Sequence, residues 1–331
     1  MKSTFNLILL LIVPVLWNCM FIQWCINTRD DAPLSQAQIP ESTIAFLDSL
    51  GSRLMGDDDH LILRWVDSLD VDSWNNRNDY GQDSLYVYEA DSLFIIYSDR
   101  DDKELMEKVR QYACNAVRPL EQLMGHYVYP SELNGRKLPL YLCSDTDNYQ
   151  KVCCELAGDD DYSKTWGLCI YSYSGVDVQT RGITLNYGSM RKLSMSPEVD
   201  LNATIWHEMN HYVYFQSIDL STELWMHTWL YEGLAEYFSS QIKKQTTALS
   251  SQEKSAADRN HLNSSFTPFM FNYSGGEIFY DYLEEAYGKD GVSRFVQGIY
   301  DKPVPEVLKM FDSDVSLAER GWRNYIKENY I

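Results

Sequence analysis

The stretch Ile205-Trp206-His207-Glu208-Met209-Asn210-His211, followed by Trp229-Leu230-Tyr231-Glu232-Gly233-Leu234-Ala235-Glu236-Tyr237, decides how this chain is read. On a helix, residues four apart share a face, which brings the Cβ atoms of His207 and His211 to within ~6 Å of each other. Two imidazoles at that spacing can share one metal ion. Glu208 is turned about a quarter of the way round such a helix, so it is free to act as a base on water instead of binding the metal. A second helix would bring Glu232, 21 residues after His211, as a third ligand. Three protein ligands and one open position describe a catalytic zinc site, whereas structural sites close with four. Glu236 lies one turn beyond Glu232 on the same face, where it can orient a ligating imidazole from behind. Gly233 and Ala235 are small enough to let the second helix come close to the first.

At these residues the chain resembles the gluzincin metallopeptidases, the group of thermolysin and the aminopeptidase N-like enzymes. The resemblance rests on HExxH and on W-L-x-E-G-x-A-x-Y, covers about residues 84–331 and is strongest over 206–237. The metzincin pattern is absent, because it needs a glycine and a third histidine where positions 214 and 217 are Tyr and Ser. Twenty residues separate His211 from Glu232, two more than is usual in the aminopeptidase N-like enzymes. The extra length falls in Ser217 to Met226, which reads as a loop between the helices. His227 is a competing ligand by position, and a surface or supporting role suits it better.

The resemblance implies an α+β fold, a mixed β-sheet half followed by a helical half with the zinc site between them. It implies one Zn²⁺ on His207, His211 and Glu232, with Glu208 as the catalytic base and a peptide or protein as substrate. Tyr273-Ser274-Gly275-Gly276 is similar to the Y-x-x-G segment that offers a tyrosine hydroxyl to the oxyanion, which makes Tyr273 a second catalytic candidate. The counterpart of the G-x-M-E-N segment, placed on the sheet edge beside the zinc, is Gly182-Ile183-Thr184-Leu185-Asn186. Gly182 and Asn186 match, but Thr184 and Leu185 replace Met and Glu, so the carboxylate that binds a substrate amino terminus is missing. An edge strand can still pair with an extended peptide through its main chain, which favours an endopeptidase. The competing readings are an idle gluzincin-fold binding or scaffold module, and a zinc hydrolase of a non-peptide amide or ester.

Composition agrees with a folded, exported protein. The 331 residues are 45% hydrophobic and 14% aromatic, enough for a proper core. A net charge of −20 repels phosphate backbones and argues against nucleic-acid partners. Asp57-Asp58-Asp59 and Asp159-Asp160-Asp161 lack the spacing of a calcium loop and read as solvated. Residues 1–26 carry Lys2 and a mostly apolar run from Phe5 to about Ile26, which reads as a signal peptide or a membrane anchor. Residues 27–83 form a linker and a small N-terminal segment with no assignable role, and 84–331 the metallopeptidase-like domain. The expected location is the cell envelope or the extracellular space, tethered to the membrane by the N-terminal segment.

Period and punctuation give the coarse elements. Leu85 to Tyr88 and Leu93 to Tyr97 read as a hairpin, Lys103 to Met124 as a helix, and Leu138 to Leu142 as a strand. Trp166 to Tyr173 and Gly182 to Tyr187 read as two more strands. Ser196-Pro197 opens the first site helix, which runs to Gln216, and the second runs from His227 to Lys243. Residues 245–266 read as a mobile surface loop. Helices fill the remainder, one from Ile278 to Tyr287 closed by Gly288 and one from Leu317 to Asn329.

Overall fold

The structure, a computed structural model, describes residues 85–88, 93–125, 137–174, 177–217, 227–245, 247–262, 270–311 and 313–331. The N-terminal apolar run, most of the linker segment and the interval between the site helices lie outside the described residues. Among the described residues no helix is long and apolar enough to cross a membrane.

The strands are β1 (Tyr86–Tyr88), β2 (Phe94–Ser98), β3 (Leu138–Cys143), β4 (Gly167–Ser174) and β5 (Asp177–Asn186). The helices are α1 (Lys103–Met124), α2 (Thr146–Ala157), α3 (Tyr187–Leu193), α4 (Pro197–Ser217), α5 (Thr228–Lys243), α6 (Ser251–Ala257), α7 (Met270–Asp301), α8 (Val304–Lys309) and α9 (Val315–Asn329). The strands form one mixed sheet in the order β1-β2-β3-β5-β4. Its inner pairs, β2 with β3 and β3 with β5, are parallel, and the outer pairs, β1 with β2 and β4 with β5, are antiparallel. A mixed sheet followed by helices fits the α+β class.

Alternation along the strands divides two apolar layers. Leu138, Leu140, Leu142, Ile183, Leu185, Cys169 and Tyr171 join the main core, which includes residues of α1, α4, α5 and α7. Tyr141, Cys143, Leu168 and Ile170 join a smaller core with Tyr149, Cys153 and Leu156 of α2. Among the described residues no disulfide joins any two of the five cysteines from Cys114 onward.

Three departures from the sequence reading bear on the site. First, Gly182 to Asn186 is not a sheet edge. It lies in β5, bonded to β3 on one side and β4 on the other, so its main chain is already committed. Thr184, Leu185 and Asn186 are fully buried, and a Cβ on Gly182 would stand 2.9 Å from the ring of Tyr141. The Asn186 amide donates to Thr165 O at 3.0 Å and its Oδ1 caps α3 by accepting from Ser189 N at 3.0 Å. These residues build the fold; the edge is β4. Second, the 245–266 stretch contains α6. Its start is a capping box in which Ser250 and Glu253 satisfy each other's backbone N–H, and Ala256 and Ala257 are buried beneath it. Third, α7 already begins at Met270, so Tyr273 to Gly276 lie inside a helix. Gly288, at φ 72°, breaks that helix where a glycine stop was expected.

Candidate metal centre

Helix α4 is apolar nearly all round, as helices in the middle of a protein are. From Ala203 to Phe215 every residue except Trp206 is buried. Five polar side chains are buried in this stretch, Thr204, His207, Glu208, Asn210 and His211, and they are the informative ones, since burial costs a polar group unless something compensates it. Helix α5 runs beside it and supplies Glu232, which is 0% exposed. Its close approach is made on the other flank from the one expected. A Cβ on Gly233 would lie 2.4 Å from Gly276 Cα, and one on Gly276 would lie 2.2 Å from Trp229 O. The glycine thus docks α5 onto α7, not onto α4, and fixes the rotation at which Glu232 faces the histidines.

The three expected ligands converge. His211 Nε2 is 3.1 Å from His207 Nε2, and Glu232 Oε2 is 3.4 Å from the former's partner on His207 and 3.3 Å from His211 Nε2. One ligand atom from each lies within 4.8 Å of the others. His227, just before α5, is not part of this group. Glu236 Oε1 stands 3.3 Å from His207 Nδ1, so it orients the ring from behind. His211 Nδ1 is buried and has no hydrogen-bond partner among the described residues.

The electrostatics favour a cation at the convergence point. Burial opposes charge on Glu232, yet the two imidazoles outweigh it and hold the carboxyl far below the usual carboxylate range. Burial likewise opposes a charged His207, but Glu232 and Glu236 outweigh it and push its pKa well above the ordinary value. Glu236 is lowered in the same contest, with burial acting against it and His207 for it. Among the described residues no donor other than the two imidazoles faces the carboxylate of Glu232. The raised pKa lets a proton on His207 balance the carboxylates, and a divalent ion on the three inner ligands would take over that role by displacing the proton. The buried His207, His211 and Glu232 group could hold a metal ion.

Glu208 points to the side of this group, against the start of strand β4. A Cβ on Gly167 would fall 2.9 Å from Glu208 Oε1 and 2.6 Å from Thr204 Cγ2, so only glycine lets the strand and the carboxylate lie this close. The sequence offered no signal for Gly167, because its place depends on the hairpin folding back outside β5. Tyr273 is half-buried in the first turn of α7, one turn before the Gly276 contact with the helix of Glu232. No protein-family model matches the chain, and no curated protein matches it either.

Proposed function

We propose that this chain is a zinc-dependent peptidase of gluzincin type that cleaves within peptide chains. One observation carries the reading. A buried two-histidine, one-glutamate group stands beside a second glutamate, Glu208, that lies against an edge strand. Zinc bound there would supply Lewis-acid polarisation of a carbonyl and make water acidic enough to attack it near neutral pH. His207, His211 and Glu232 would hold the ion, and Glu236 would fix the tautomer of His207 by accepting from its Nδ1–H. Glu208 would take the proton of the attacking water and pass it to the departing amine. Tyr273 would offer its hydroxyl to the oxygen on which negative charge develops.

Strand β4 takes the role first read onto residues 182–186. It is the outer strand on this side of the sheet, and extended peptides add to such edges by main-chain hydrogen bonds. Trp166 to Ser174 contains no acidic residue, so this edge also lacks a carboxylate for a free amino terminus. That supports internal cleavage. A scaffold that has abandoned catalysis has no use for a carboxylate lodged between the metal group and an edge strand. The test is Glu208→Gln, which should retain one zinc per chain while chelator-sensitive cleavage of a diverse peptide pool falls roughly 10³-fold. Undiminished cleavage by the zinc-loaded variant would sink the proposal.

A further inference from the structure

Beside the metal group stands a cation that neither the metal site nor the catalytic base requires. Lys243 occupies the last turn of α5, half-buried, with its Nζ 5.9 Å from the centroid of the Trp166 ring. A cation over an indole face is an attractive contact but leaves the ammonium charge uncompensated. Among the described residues no carboxylate stands within ion-pairing distance of it; Glu236 feels its charge from further away. A basic residue at a helix C-terminus also suits the helix dipole. The exposed Lys244 next to it meets that need without being held over an aromatic ring.

The position of Lys243 relates it to the reacting groups. Trp166 immediately precedes Gly167, the residue packed on Glu208. Glu236, the other neighbour of Lys243, lies 3.3 Å from His207 Nδ1. Trp166, Lys243 and Glu236 therefore border the centre on the flank where Glu208 lies. If Glu208 delivers a proton to the departing amine, that amine and the residues after it must leave along this same flank. A cation held there with no ion-pair partner among the described residues is complementary to an anion carried by the leaving fragment.

We propose that Lys243, held over Trp166, binds a carboxylate on the C-terminal side of the cleaved bond, so that the preferred substrates carry there either a nearby chain terminus or an Asp or Glu side chain. This rests on the peptidase reading above.

The experiment uses the zinc-loaded full chain and pairs of fluorogenic peptides. One pair differs only in a C-terminal acid against its amide, and the others only in Glu against Gln at the first, second or third residue after the bond. The expected result is a kcat/KM ratio of about tenfold in favour of the acid in one of these pairs, and which pair it is identifies the source of the carboxylate. Lys243→Gln should bring that ratio to about one, Lys243→Arg should restore it, and Lys243→Glu should invert it towards a peptide with Lys at the same place. Because each ratio is taken within one protein, partial loss of folded material does not move it. A wild-type ratio near one in every pair, or a preference that survives Lys243→Gln, overturns the subsite while leaving the peptidase intact. Failure of the zinc-loaded wild type to cut any peptide overturns both.

Discussion

Two clusters of buried polar side chains lie on opposite faces of the sheet, and they differ in how their hydrogen-bonding capacity is met. Beneath α2, the Tyr149 hydroxyl meets Thr165 Oγ1 at 2.6 Å, Thr165 donates to Tyr162 O at 3.0 Å, and Cys153 Sγ lies 3.4 Å from Thr184 Oγ1. Every one of these groups has a protein partner, as buried polar groups in a structural network do. Between α4 and α5, the ligand atoms of His207, His211 and Glu232 point at one another, and His211 Nδ1 has no hydrogen-bond partner among the described residues. The first cluster is complete as it stands. In the second, three ligand atoms converge on one point, where a bound cation would take the place of the proton on His207. Burial of polar groups alone would not separate a functional site from a structural network; the way the groups are satisfied does.

The difference can be broken experimentally. Zinc should stabilise the wild type by about 4 kcal/mol at a free concentration a thousandfold above its dissociation constant, read as a rise in the unfolding midpoint. Glu232→Gln should abolish most of that rise, and an equal rise in the variant would erase the distinction between the clusters.

Another buried carboxylate sharpens the comparison. Glu277 of α7 is 3% exposed and is met by hydroxyls of Thr247 and Ser240, and among the described residues its charged neighbours are Glu236 and Asp281. Burial pushes its pKa up to about 7, opposite in direction to Glu232. A folded pKa above the unfolded value means that Glu277 adds stability below its ordinary value of 4.5, and that this is lost as pH rises through about 7. Relative to Glu277→Gln, the wild type should therefore lose about 3 kcal/mol between pH 4.5 and pH 8 in denaturant titrations. A difference independent of pH would mean that folding leaves the Glu277 pKa at its ordinary value.

The smallest effect belongs to the satisfied cluster. Thr165→Val removes one of the two side-chain partners of the Tyr149 hydroxyl, the other being Thr184, and should cost about 1 kcal/mol of stability. The zinc-dependent rise in midpoint should stay at its wild-type size, and a reduced rise would show that the two clusters are coupled through the sheet.

What could be read in advance was what the chain encodes locally. The spacing of His207 and His211, the serine–proline start of α4 and the reach from Glu232 to Glu236 are all contained within one or two helical turns, and each has its expected place. The capping box of α6 was equally local, but it sits in a polar stretch whose only buried side chains at the helix end are small alanines, so no hydrophobic period announced it. Strand order is different in kind. Nothing within Gly182 to Asn186 specifies that Trp166 to Ser174 will lie outside it, because that depends on how the hairpin turns against β3. The edge strand, Gly167 against Glu208 and Trp166 against Lys243 all follow from that one non-local fact. Gly233 shows the same limit. Its smallness was legible, and its partner, Gly276 more than forty residues further on, was not.

The most direct test of the central claim is a count of bound metal. After exhaustive dialysis against a zinc-containing buffer and then a metal-free one, native mass spectrometry of the full chain should find one zinc ion in the wild type and in Thr165→Val. It should find next to none in Glu232→Gln. A wild type that emerges without zinc, or a Glu232→Gln variant that holds it as tightly, would contradict the assignment of His207, His211 and Glu232 as the metal centre.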